Sequence, residues 1–142
     1  MPKPRYHTAL SLGLAALVVA RTRRWQSAVP ILIAGVLVDI DHVVDLFANR
    51  RGADLRWTIL PLHAWEWVLT LLTRRTPVAD GLAGGLAAHL ALDQLNDAIT
   101  HPFFYWISLR ALHGFRARPP LIVPERYERG ARWMGSGPLD WF

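Results

Sequence analysis

The sequence predicts an all-α protein: a membrane-embedded bundle of four to five helices with an irregular, Arg/Pro-rich C-terminal tail. Hydrophobic residues make up 52% of the 142 residues, above the usual share for a soluble domain. Apolar stretches of helical length alternate with short Arg-containing breaks. None of these stretches shows the apolar–polar alternation that is typical of a half-buried strand.

The helices follow from the positions of the apolar runs. They are expected at residues 8–20, from 27 or 29 to about 48, at 58–73 and at 78–100, with an aromatic-rich fifth segment at 102–113. Residues 1–114 would form the helical domain and 115–142 the tail. Arg and Lys are spread evenly over the connections, so some segments could be half-buried or re-entrant rather than full spans.

The start of the fourth predicted helix is rich in small residues. Gly81 and Gly85 form a GxxxG pair, which lets a neighbouring helix approach closely. Glycine weakens an isolated helix, so a packing role is expected for this pair.

The charges restrict the partners and the chemistry. The net charge is +5, and the cations fall in short clusters between apolar stretches. Such clusters suit anionic lipid head groups better than a nucleic-acid groove, so we expect membrane lipid and no nucleic acid as partner. The chain has no Cys, which excludes thiolate ligands, Cys nucleophiles and disulfides.

Polar residues interrupt the second apolar run at Asp39, Asp41 and His42. At 100° per residue, Asp39 and His42 lie about 60° apart on one helical face, whereas Asp41 points elsewhere. Either the helix is distorted at Ile40, or Asp41 supports another ligand or binds a different cation. Burying such groups costs several kcal/mol each unless they are paired or bound to a cation.

The next two helices repeat this pattern. His63 and Glu66 are three residues apart, and His89 and Asp93 are four apart, so each pair shares a helical face. One such pair is as consistent with a salt bridge as with a metal ligand set. Three pairs in one small chain favour a buried metal site built from facing helices. Imidazole nitrogens and carboxylate oxygens suit Zn²⁺, Mn²⁺ or Fe²⁺, and the number of these ligands predicts more than one ion.

Taken together, these three motifs resemble those of the small bacterial membrane-bound metal-dependent hydrolase family. The ligand pattern of that family is similar to zinc-dependent phospholipase C and the P1-type nucleases. The resemblance covers roughly residues 5–105 and implies an integral protein of the bacterial inner membrane. It also implies metal ligands at the matching positions, which are His7, Asp39, Asp41, His42, His63, His89 and Asp93. The family has Pro before the first Asp, where this chain has Val38.

The expected function is metal-dependent hydrolysis of a phosphoester by a metal-activated water, with lipids among the candidate substrates. Glu66 is the candidate general base, and His101 is a candidate acid or phosphate contact. For Glu66 and for His7, the alternative is a side chain at the membrane interface that does not bind metal. The alternative function is a non-catalytic membrane protein that binds or carries divalent cations.

Overall fold

A computed structural model describes residues 4–42, 57–96, 103–116 and 121. Within these ranges the protein is all-α, as predicted, with five α-helices and no strand. The α-helices are α1 (Pro4–Thr22), α2 (Trp25–Val36), α3 (Trp65–Leu72), α4 (Pro77–Asn96) and α5 (Ile107–Leu112), and a 3₁₀-helix (Leu37–Asp41) directly follows α2. The predicted helices at 8–20 and 78–100 correspond to α1 and α4, although positions 97–100 lie outside the described ranges.

The first two helices form an antiparallel hairpin. Only Arg23 and Arg24 separate them, and the left-handed backbone of Arg23 (φ +56°) reverses the chain. The start of α1 consequently packs against the end of α2. At this contact Ser11 of α1 lies against Gly35 of α2. A Cβ at position 35 would clash with the Ser11 hydroxyl.

Helices α2 and α4 pack in parallel at very short range. The Ser27 hydroxyl donates to the Pro77 carbonyl over 2.8 Å. Farther along, Gly81 lies against the Ser27 backbone, and Gly85 lies against that of Ile31. The contacts thus repeat every four residues along both helices, from Ser27 and Gly81 to Ile31 and Gly85. The close approach predicted for the GxxxG pair is confirmed.

The second predicted helix, from 27 or 29 to about 48, is shorter than expected in its regular part. The α-helix ends at Val36, whose backbone (φ −120°, ψ −45°) departs from helical geometry, and the tighter 3₁₀-helix Leu37–Asp41 follows. The break occurs without a proline at this point, since Val38 precedes Asp39. Residues 43–48 of the predicted helix lie outside the described ranges.

The third predicted helix, 58–73, begins seven residues later than expected. Leu60 has a positive φ of +33°, and Ala64 is extended (φ −144°, ψ 129°), so the chain between them forms a loop. A residue before Pro is disfavoured in the α region, and Pro61 follows Leu60 directly. His63 therefore lies on a loop and not on the face of a helix.

The hydrophobic core joins this loop to α3, α4 and the segment before α5. Its buried members are Val38, Leu60, Val68, Ala83, Leu86, Leu90, Phe104, Tyr105 and Leu121. Leu121 falls in the predicted tail, and the Phe115 carbonyl, from the same stretch, accepts the Thr58 N–H over 2.8 Å. These described residues of 115–142 thus pack on the helical domain.

The predicted membrane-spanning helices are not found within the described ranges, where no helix is both long and apolar enough to cross a bilayer. Helices α2 and α3 have 12 and 8 residues. At about 1.5 Å per residue, both are shorter than the roughly 30 Å hydrocarbon core.

Candidate metal centre

Two imidazoles and two carboxylates converge at one end of the bundle. Asp39 comes from the 3₁₀-helix, His63 from the loop before α3, and His89 and Asp93 from successive turns of α4. Their ligand atoms all lie within 4.8 Å of one another. His63, His89 and Asp93 are buried, whereas the Asp39 side chain is 30% exposed. This four-residue group could hold a metal ion.

Five of the distances between these four ligand atoms are close to those between the ligands of one metal ion. The Nε2 atoms of His63 and His89 are 3.1 Å apart. Oδ1 of Asp39 lies 3.4 and 3.3 Å from these two nitrogens, and Oδ2 of Asp93 lies 3.5 and 3.2 Å from them. Zinc bonds to such atoms measure about 2.0–2.2 Å, which places neighbouring ligands of a tetrahedral ion roughly 3.3–3.6 Å apart.

Both imidazoles turn Nε2 toward the group, and the Nδ1 of each faces an oxygen atom on the opposite side of the ring. Nδ1 of His89 lies 3.0 Å from the Gly35 carbonyl oxygen, which can only accept a hydrogen bond. Nδ1 of His63 lies 2.8 Å from Oδ1 of Asp41, in a close contact that is not aligned as a hydrogen bond. Carbonyl and carboxylate partners of this kind orient metal-bound imidazoles, leaving the Nε2 lone pair for the metal.

Asp41 supports the group from behind His63. Its Oδ2 accepts the backbone N–H groups of Leu62 (2.8 Å) and His63 (3.2 Å). The carboxylate therefore fastens the loop to the 3₁₀-helix. Asp41, His42 and His63 are also close enough to form a second set of potential ligands, which shares His63 with the first.

Each carboxylate of the group also contacts a further imidazole. Nε2 of His7 lies 3.2 Å from Oδ1 of Asp93, and the His7 ring stacks on that of His89 with centroids 3.9 Å apart. Nε2 of His42 lies 3.4 Å from Oδ1 of Asp39. The tight 3₁₀ turn places residues three apart on one face, as predicted for this pair. His7 is buried, whereas the His42 side chain is 13% exposed beside Asp39.

Arg110 secures the other side of the loop that carries His63. It is completely buried, and its guanidinium donates to the carbonyl oxygens of Ile59 (2.9 Å), Leu60 (3.0 Å) and His63 (2.6 Å). The sequence interpretation missed this residue. The available signal was a single Arg within the apolar stretch Ile107–Leu112.

The group is strongly coupled electrostatically. Burial lowers the pKa of His89, but hydrogen bonds and charge interactions with Asp39 and Asp93 outweigh it and raise the pKa to about 9. Burial raises the pKa of Asp93, but hydrogen bonds from His63, His7 and His89 hold it far below its usual value. Without a metal, protons therefore supply the positive charge that the two carboxylates require.

Glu66, the predicted general base, does not belong to the converging group, and its carboxylate caps α5. It accepts the N–H groups of Ile107 (3.0 Å) and Ser108 (2.9 Å) and the Ser108 hydroxyl (2.7 Å). Partial burial raises the pKa of Glu66, but the hydrogen bonds from Ser108 outweigh it and lower the pKa, which makes the carboxylate a weaker base.

Of the seven predicted ligands, four form the converging group and the other three contact it. His7, Asp41 and His42 are those three. His101, the other predicted catalytic residue, lies outside the described residues. Comparison of the chain with protein-family models, curated proteins and solved structures finds no match.

Proposed function

We propose that the protein binds one divalent metal ion, zinc by preference, through Asp39, His63, His89 and Asp93. The main supporting observation is that their four ligand atoms converge, with five of the distances among them between 3.1 and 3.5 Å. The second potential set shares the His63 ring, and the Nδ1 of that ring faces Asp41, so one ion fits better than the predicted several. Mn²⁺ and Fe²⁺ are the competing ions for oxygen and imidazole ligands.

We further propose that the bound ion serves hydrolysis, with a phosphoester as substrate. The substrate class comes from the motif resemblance. An ion in this position would act as a Lewis acid and lower the pKa of a bound water to near neutrality. Asp39 and His42 form the partly exposed edge of the group, where a substrate would approach. The imidazole of His42 is placed there to accept or return a proton.

Metal analysis of the purified protein tests the binding step. The wild type should contain about one zinc per chain and gain thermal stability when zinc is added. His89→Ala and Asp93→Asn should lose both properties. His113→Ala and Asp80→Asn are matched controls, since neither residue belongs to the group, and Asp80 is exposed on the same helix as Asp93. Equal zinc content in the wild type and His89→Ala would refute the proposal.

A non-catalytic metal-binding protein, either metal-stabilised or a carrier of divalent cations, is the second candidate. The supporting observation is that the group offers four protein ligands, the number found in structural zinc sites, whereas catalytic zinc sites have three and keep a position open. Activity on a panel of phosphodiesters decides between them. A hydrolase loses activity in Asp93→Asn while folding is retained. A zinc-loaded wild type that hydrolyses no member of the panel favours the non-catalytic protein.

We also propose that the protein acts at the bacterial inner membrane. Support comes from an apolar stripe along α2 and the 3₁₀-helix, whose members are 47–65% exposed: Trp25, Val29, Ile33, Leu37 and Ile40. Exposed Arg21, Arg23 and Arg24 lie at one end of this stripe and suit anionic lipid. Ile33→Glu should reduce co-sedimentation with anionic vesicles, and Ile33→Leu should preserve it. Equal binding by both variants would contradict this role of the stripe.

A further inference from the structure

We propose that Arg110 is a positioning residue for His63 and thereby sets the affinity and geometry of the metal site, which it does not itself contact. The inference rests on the proposed metal binding and adds a residue that affects this binding without being a ligand. It concerns a residue from a segment of the chain, α5, that contributes no member of the four-residue group.

The first observation is the number of carbonyl groups that one side chain holds. Nη1 of Arg110 donates to the carbonyls of Ile59 (2.9 Å) and Leu60 (3.0 Å), and Nη2 donates to that of His63 (2.6 Å). A guanidinium is planar, and its donors have a fixed spacing. The three carbonyls are therefore held relative to one another as well as to α5.

The second observation is that the loop has no regular structure to hold its shape. It contains Ala64 in an ordinary extended conformation and Leu60 in the left-handed region, and the backbone of Leu60 persists in that region only when its surroundings hold it. Asp41 accepts amide N–H groups from one side of the loop. Arg110 binds carbonyls from the other side. His63 is thus presented between a buried anion and a buried cation.

The third observation connects this clamp to the metal group. The carbonyl that Nη2 of Arg110 binds belongs to His63 itself, whose Nε2 is one of the four converging atoms. Metal–ligand distances tolerate deviations of only about 0.2 Å. Loss of the hydrogen bond to the His63 carbonyl would therefore displace the His63 Nε2 from its position among the ligand atoms. Glu66 strengthens the link, since it caps the helix that carries Arg110.

Cobalt binding tests the proposal, because tetrahedral Co²⁺ absorbs visible light strongly and the spectrum reports the coordination geometry. The wild type, Arg110→Met and Arg110→Lys are titrated with Co²⁺ alone, and their helical content is checked by circular dichroism. Arg116→Met is the matched control. Arg116 is exposed and directly follows Phe115, and its guanidinium lies over the Trp57 ring, 5.8 Å from the ring centroid.

Arg110→Met should bind Co²⁺ at least about tenfold more weakly, as for other residues that orient metal ligands, with a weaker tetrahedral spectrum. Arg110→Lys should lie between it and the wild type, and Arg116→Met should match the wild type. A folded Arg110→Met with wild-type affinity and spectrum overturns the proposal, even if its thermal stability is lower. If Arg110→Met does not fold, Arg110→Lys decides by the same two criteria. A wild type that binds no Co²⁺ refutes the metal site itself.

Discussion

Two adjacent glycines of α4 provide a sharp test of the parallel packing that supports the site. A Cβ at Gly85 would overlap the carbonyl oxygen of Ile31 and lie 2.9 Å from the Cα of Ile31. A Cβ at Gly84 would meet nothing within 4 Å. The same substitution by Ala at neighbouring positions is therefore expected to have opposite effects on stability.

The magnitudes follow from two opposing terms. Replacing Gly by Ala inside a helix stabilises it by about 1 kcal/mol. Overpacking costs about 1–3 kcal/mol, and a clash with backbone rather than a flexible side chain places Gly85→Ala at the upper end. We expect Gly84→Ala to stabilise the protein by about 1 kcal/mol and Gly85→Ala to destabilise it by about 2 kcal/mol.

Urea unfolding of the purified variants measures this difference of about 3 kcal/mol, which corresponds to roughly 10 °C in Tm for a chain of this size. Zinc titration adds a second readout. His89 follows Gly85 by one turn and contacts Gly35 of α2, so separation of the two helices should weaken zinc binding in Gly85→Ala alone. Equal shifts in the same direction for both variants would refute the packing argument.

Three further predictions concern the residues around the site. Asp41→Asn should weaken zinc binding about 10–100-fold because it disturbs the partner of His63, and unchanged affinity in a calorimetric titration would contradict this. Glu66→Gln should cost about 1 kcal/mol of unfolding free energy as a helix-cap change, with zinc content unaltered. Because the pKa of Glu66 is lowered in the folded state, its contribution is present above its usual pKa and lost as the pH falls, and the Gln variant should lack this acid dependence. The raised pKa of His89 acts in the opposite direction: the metal-free protein should lose stability as the pH rises from 6.5 to about 9, whereas zinc-loaded protein should not, since protons compete with the ion. A urea midpoint of metal-free protein that increases over that interval would contradict the coupling of His89 to its carboxylate partners.

Helical periodicity was sufficient where partners are close in the chain. His89 and Asp93 share a face of α4, and Asp39 lies on the same side of the chain as His42, the residue that directly follows the 3₁₀-helix, because residues three or four apart are neighbours in helical backbone. The GxxxG pair likewise carried its own packing signal. Such features depend on local geometry, so a sequence pattern can indicate them.

The same reasoning failed at the third element, where tertiary contacts decide the outcome. Leu60 and Pro61 delay the helix, so His63 is presented by a loop and Glu66 faces α5. The sequence prediction treated residues 58–73 as one helix and therefore placed His63 and Glu66 on the same face. The supporting roles of Asp41 and Arg110 depend on contacts with a loop many residues away in the chain, and helical periodicity cannot predict such contacts.

The spread of the four converging residues along the chain bears on how the protein unfolds. Asp39 lies in the 3₁₀-helix after α2 and Asp93 lies in α4, with α3 between these two elements in the chain. An ion held between them would act as a removable cross-link, since the two segments cannot separate until it leaves. Its main effect would be on the unfolding rate, because contacts completed late in folding slow unfolding more than they speed folding. A chelator would then shorten the lifetime of the native state as well as lower its equilibrium stability.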